Sequence, residues 1–242
     1  MEETKVKAIV LGGRDYKEKD KLVDLFTLEQ GIVSVLFKSV KSANAKLKSA
    51  KEMFSFGDFI YATGKFNVVT SAEIIDTFYG ITKDIKKYYT ACMILEIIKN
   101  VLPVGEQNVN LFLETLKALK TVAYDNADNL TIINKFLVVV FEGLGYKFAL
   151  NTCNTCGCKF MNYRYMNLEY GDITCHNCKT LNSVEISVGE YSALRLISIT
   201  EFEKLSTLKL NGEVLNKLFN LLCMNFEHRF NKKLELPDIL KT

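Results

Sequence analysis

Residues Cys153–Cys178, "CNTCGCKFMNYRYMNLEYGDITCHNC", contain two Cys-x-x-Cys pairs with eighteen residues between them. Pairs of this kind, about 15 to 20 residues apart, form two knuckles that converge on a single tetrahedral ion. The spacing therefore predicts one structural zinc held by Cys153, Cys156, Cys175 and Cys178. Gly157, directly after the second cysteine, supplies the positive φ that a knuckle needs for its amides to turn toward the sulfurs. A hydrolytic zinc keeps three protein ligands and an open position, whereas four thiolates close the shell. Cys158 and His176 lie close enough in sequence to stand in for one of the four ligands.

The rest of the chain supports a metal over disulfides. Five of the seven cysteines crowd into this stretch, while Cys92 and Cys223 stand apart in aliphatic surroundings. An odd number of cysteines without a secretory leader points to a reducing compartment. The opening "MEETKVKAIV" has no basic segment followed by an apolar one, so an intracellular protein is expected. Apolar runs such as "FLVVVF" (136–141) end well short of the roughly 18 residues that a bilayer span requires. Enzyme signatures are missing. The only histidines are His176 and His228, and neither begins the His-x-Glu of a zinc deaminase or leaves room for a nucleophilic triad. No enzymatic activity is expected.

On both sides of the cysteines the apolar periodicity is helical. Upstream are "YYTACMILEIIKNVL" (88–102), "VNLFLETLKALKTVAY" (109–124) and "LTIINKFLVVVFEGLGY" (130–146), the last apolar on nearly every face and so expected at the centre. "DNADN" (125–129) offers an N-cap for it. Downstream, "VGEYSALRLISI" (188–199) and "NGEVLNKLFNLLCMNFEHRF" (211–230) resume the period, so the cysteine ribbon, 151–180, is an insertion in a helical domain spanning 81–242. Residues 1–80 read differently. Five short β-branched or aromatic segments, with Glu29-Gln30-Gly31 as a hairpin link, predict a small closed five-stranded barrel.

The net charge is only +3, so any polyanion site must be local. "KSVKSANAKLKSAK" (38–51) carries Lys38, Lys41, Lys46, Lys48 and Lys51 with no acidic residue, and it joins the third strand to an aromatic segment. Small barrels bind oligonucleotides across a strand face and its loops, with lysines on phosphates and rings on bases. Phe54, Phe56, Phe59, Tyr61 and Phe66 are the candidate rings, and Arg14 is a flanking cation. The helices over 88–102 and 211–230 are more apolar than solvent-facing helices require, which suggests a groove for a partner segment.

Several stretches together resemble the RecO family of recombination mediator proteins over the whole length. "AIVLGGRDYKEKDKLVDLFTLEQG" is similar to that family's opening, with Val10-Leu11, Tyr16-x-Glu18-x-Asp20 and Thr27 before the Glu-Gln-Gly turn. "FEGLGYKFALNTCNTCG" is similar to its approach to the metal site, with Gly145-Tyr146 ahead of Cys153 and Cys156. Two departures stand out. Lys38-Ser39-Val40-Lys41 replaces a glycine and arginine-rich stretch, keeping the charge without the bidentate guanidinium fork. Tyr170-Gly171 stands where relatives tend to have two glycines.

The resemblance implies an α+β multidomain chain in which an OB-fold barrel over 1–80 precedes an all-α domain with an inserted zinc ribbon. It implies a non-enzymatic factor of the bacterial cytoplasm, associated with the nucleoid. Such a factor binds single- and double-stranded DNA, anneals complementary strands and helps load recombinase onto DNA coated with single-strand-binding protein. Its expected partners are DNA, RecR and the C-terminal tail of single-strand-binding protein, with no membrane. Phosphate contacts are expected from Lys38, Lys41, Lys46, Lys48, Lys51 and Arg14. The alternative is a zinc-stabilised protein–protein adaptor that never touches DNA.

Overall fold

The computed structural model describes residues 2–40, 47, 49–160 and 164–241. The chain divides into two compact units, Met1–Tyr124 and Asp125–Thr242.

The first unit begins with β1 (Glu3–Tyr16), β2 (Asp20–Thr27), β3 (Gly31–Phe37), β4 (Phe56–Ala62) and β5 (Asn67–Asp76). They close a barrel in the order β1-β2-β3-β5-β4, antiparallel throughout except where β3 meets β5. The first strand is long because it serves two neighbours: Glu3 to Ile9 pair with β4, and Ala8 to Tyr16 with β2. A bulge between Val10 and Gly12 lets it turn this corner, and Gly12 accepts the φ of +132° that the bend imposes. The barrel interior is filled by alternate residues, among them Val6, Ala8, Val10, Val23, Leu25, Val35, Phe37, Phe59 and Tyr61.

The family-like Thr27 ties the β2–β3 hairpin. Its hydroxyl donates to the Gly31 carbonyl at 2.9 Å and accepts from the Gln30 amide at 2.9 Å. Gly31 adopts φ +66°, and a Cβ there would sit 2.0 Å from the Glu106 carbonyl. Only glycine fits this position.

Two helices complete this unit: α1 (Ile85–Val101) and α2 (Val109–Tyr124). Asp84 caps α1 by accepting from the Lys86 and Lys87 amides. Phe112 of α2 lies 5.3 Å from Phe26 and 6.4 Å from Phe56, and the Gln107 amide donates to the Leu28 carbonyl. The barrel thus shares buried rings with α2, each worth about 1.5–3 kcal/mol relative to exposure.

In the second unit α3 (Asn129–Gly143) is buried from Leu130 through Phe141, the central position its sequence predicts. It packs against α4 (Val188–Ile199) and α5 (Gly212–Phe230). Three polar side chains lie on its buried surface: Thr131 donates to Asp128 Oδ1 at 3.1 Å, the Asn134 nitrogen donates to the Leu130 and Leu215 carbonyls while its Oδ1 accepts no hydrogen bond among the described residues, and Lys135 donates to the Ser198 carbonyl. Asp128, from the Asp-rich link, caps α3 through the Thr131 amide, and Ser187 with Glu190 forms a capping box on α4. Between α3 and α4 lies a three-stranded antiparallel sheet of order β7-β6-β8, formed by β6 (Arg164–Asn167), β7 (Ile173–Cys175) and β8 (Ser183–Ile186).

Candidate metal centre and nucleic-acid interface

The first cysteine knuckle follows from local backbone geometry. The Gly157 amide donates to the Cys153 carbonyl at 2.8 Å with Gly157 at φ +70°, and the Cys153 amide donates to the Cys158 carbonyl at 2.8 Å. The second knuckle is the single helical turn His176–Cys178 after β7. Together they bring Cys153, Cys156, Cys175 and Cys178 to one point, with all four Sγ atoms within 4.8 Å of one another. Cys156 and Cys175 are 3.8 Å apart. Metal–sulfur bonds of ~2.3 Å in a tetrahedron place sulfurs about 3.8 Å apart, so the donor set fits one ion.

Backbone amides prepare the site for charge. Burial raises the Cys153 thiol, but hydrogen bonds from the amides of Cys156, Cys175 and Thr155 outweigh it and bring it down to about 6. The Cys175 amide approaches the Cys153 sulfur to 3.3 Å. Cys175 is also lowered: burial opposes the shift, and the Asn177 and Cys178 amides win. Hydrogen bonds with the Cys156 and Cys175 sulfurs push both Cys158 and Cys178 up to about 12. His176 Nδ1 lies 3.1 Å from the Tyr165 hydroxyl. It is geometry that groups the four cysteines of the two pairs, since theirs are the sulfurs that all lie within 4.8 Å of one another.

The ribbon is anchored through residues that no motif reveals. Asn225 of α5 is fully buried and donates to the Leu168 carbonyl at 2.8 Å, while Arg229 donates to Asn225 Oδ1 at 3.0 Å and to the Tyr170 carbonyl. The Arg229 guanidinium also lies 3.9 Å from the Tyr146 ring centroid. Tyr146 is placed there by the end of α3, where Gly145 takes φ +89°, its amide reaches the Glu142 carbonyl and the Tyr146 amide reaches Phe141. This gives the Gly145-Tyr146 pair a structural reason. It also explains the single glycine at 171. Gly171 has φ +66° and a Cβ there would meet Arg229 at 2.5 Å, whereas Tyr170 is 61% exposed and needs no glycine.

The barrel's cations divide by position. Lys38 is exposed just beyond β3, and Arg14 is exposed beside a cleft of about 250 Å³ lined also by Asp24, Ser34 and Lys99. Lys51 is ion-paired with Glu52 at 2.7 Å, its side chain only 14% exposed. Lys5 and Lys7 share Asp58, at 2.9 and 2.7 Å. Lys41, Lys46 and Lys48 lie outside the described residues. The loop is also rooted in the barrel: Val40 and Ala50 are buried in its core, Leu47 packs on them, and Asp20 accepts from the Ser39 amide at 2.8 Å.

The proposed ring platform needs correction. Phe54, Phe56, Phe59 and Tyr61 are at most 8% exposed, because they fill the barrel or seat the helices; Phe54, for example, meets Tyr88 of α1 at 5.6 Å. Phe66 alone of the five is exposed, at 40%, and it pairs with Tyr16, which the sequence had not marked as a ring candidate.

A closed barrel of OB topology, then helices, then a ribbon whose four cysteines could hold a metal ion, defines a class of α+β proteins. The sequence matches the family described as "Recombination protein O N terminal" over residues 1–78 and that described as "Recombination protein O C terminal" over 82–235. The chain belongs to the RecO family. It is similar to the DNA repair protein RecO of Clostridium novyi, at 27% identity covering 98% of this chain and 94% of the relative. It is likewise similar to that of Clostridium kluyveri, at 28% identity over 98% and 93%. The DNA repair protein RecO of Dehalococcoides mccartyi is also similar, 28% identical over 88% of this chain and 85% of the relative. No helix among the described residues is long and apolar enough to cross a membrane.

Proposed function

We propose that this chain is a non-enzymatic mediator of DNA repair and homologous recombination, acting in the bacterial cytoplasm at the nucleoid. In this reading it binds single- and double-stranded DNA, anneals complementary strands and helps load recombinase onto DNA coated with single-strand-binding protein. RecR and the tail of single-strand-binding protein are its protein partners. The observation that carries the reading is the closed OB-type barrel with exposed cations on the loops at its rim, in a chain that family and relatives match from end to end. Lysines displace counterions and lower the repulsion between two approaching strands, which is what annealing requires.

Zinc is the ion proposed for the four cysteines, since four soft thiolates in a tetrahedron suit it and leave no open position. When bound it supplies rigidity; the chain's own part is to hold four thiolates with amides aimed at them. For the tail of the partner protein, which combines acidic and apolar residues, the candidate is a groove of about 800 Å³ beside α5, lined by the half-buried Leu236 and Pro237 together with Lys233 and Lys241, which pair with Glu235 and Asp238.

The test is binding of an unstructured oligonucleotide across a salt series. With about four phosphates neutralised, log affinity should fall against log salt with a slope of roughly −3, at about −0.7 per contact. Changing Lys41, Lys46 and Lys48 together to Glu should flatten the slope by about two units and weaken annealing in parallel, leaving zinc content unchanged. An unchanged slope would remove this loop from the interface. The burial of four candidate rings favours a second reading, an adaptor that docks proteins without touching DNA; nuclease-resistant capture of RecR or single-strand-binding protein by an intact chain that shifts no DNA would support it.

A further inference from the structure

Resting on the DNA-binding reading, we infer that Tyr16 and Phe66 together form the base-stacking platform for single-stranded nucleic acid, flanked by Lys17 and Lys65. The two rings come from different loops. Tyr16 ends β1 at the β1–β2 turn, and Phe66 sits in the β4–β5 turn; their centroids are 5.6 Å apart with planes tilted by 53°. In a barrel of this topology those are the two loops that close over an oligonucleotide. A buried contact would explain such a pair by packing alone, but Phe66 is 40% exposed and Tyr16 is half-buried at the rim.

The electrostatics point to the same occupant. Lys17 Nζ lies 5.6 Å from the Tyr16 ring centroid, and Lys65 directly precedes Phe66. With Arg14, Lys19 and Lys21 these turns carry five cations against Asp15, Glu18 and Asp20, and Asp20 is engaged by the Ser39 amide. Lys17 is held at φ +54°, so the turn adopts one specific shape beside the ring. Partly exposed rings with lysines beside them suit a strand whose bases are free to stack and whose phosphates run alongside. A duplex, with its bases already stacked on one another, offers such rings nothing.

The measurement is anisotropy of labelled oligothymidylate and of a duplex of equal length, with the full-length chain carrying Tyr16→Ala and Phe66→Ala together. Single-strand affinity should drop about fivefold to hundredfold, the range for losing one base stack, with the salt slope unchanged because no phosphate contact is lost. Duplex affinity should stay within twofold. Lys17→Gln with Lys65→Gln should do the converse and reduce the slope. Should the double alanine variant melt early, Phe66→Leu keeps an apolar contact with Tyr16 and should still lose single-strand affinity at an unaltered melting temperature. Unchanged single-strand binding, or an equal loss for duplex, would overturn the platform while leaving the DNA-binding reading in place. An unsubstituted chain that binds neither probe would overturn both.

Discussion

Asn225 uses both ends of one amide, in a site with no solvent, to hold the ribbon on α5. Its nitrogen donates to the Leu168 carbonyl and its oxygen receives Arg229. Truncation strands a buried carbonyl on one side and releases the guanidinium on the other. Leaving such a group unsatisfied costs about 1–3 kcal/mol. Asn225→Ala should therefore lower stability by about that amount, read by denaturant unfolding, while a Met224→Ala control on the exposed side of the same helix should change little. Gly171, beside the same guanidinium, sits at φ +66°, a backbone conformation that favours glycine over any residue with a Cβ.

At the scale of elements the ribbon is the part most dependent on something beyond packing. Its three strands are only four, three and four residues long, and they bury few large side chains. Strands this short are marginal without support, and a metal held by the two knuckles would provide it. Cys175→Ser should reduce bound zinc from one per chain to none, by metal analysis, and lower the melting temperature of the second unit. Full zinc content and unaltered melting in that variant would refute the ligand assignment. Acidification should release the ion, because each ligand binds as a thiolate and protons compete for it.

At the scale of the whole chain, the barrel is not self-sufficient at residue 80. Phe26 and Phe56 rest on Phe112, the Gly31 turn faces Glu106, and Gly80 backs onto the Ala123 carbonyl. A fragment ending at Tyr124 should unfold cooperatively, monitored by circular dichroism. One ending at Gly80 should expose those rings and aggregate, since a contiguous apolar patch seeks another surface. If the shorter fragment melted as sharply as the longer one, the shared core would be dispensable.

Much of this was legible from residue order, for identifiable reasons. Cysteine spacing encodes a knuckle because a short turn brings paired sulfurs to one point, so the four-cysteine cluster could be read from the chain. The barrel strands and all five long helices were readable from periodicity, since one face must repeat at 2.0 or 3.6 residues to be buried. Thr27, Gly31 and Gly157 were legible because turns are settled by immediate neighbours. Tertiary structure alone decided which rings of the aromatic segment stay outside, because strand alternation does not say which loops meet. It alone set Tyr16 beside Phe66 across fifty residues of sequence, paired Lys51 with Glu52, and chose Asn225 and Arg229 to hold the ribbon. Those contacts arise from the closure of a barrel and the docking of a helix, and neither leaves a periodic trace in the chain.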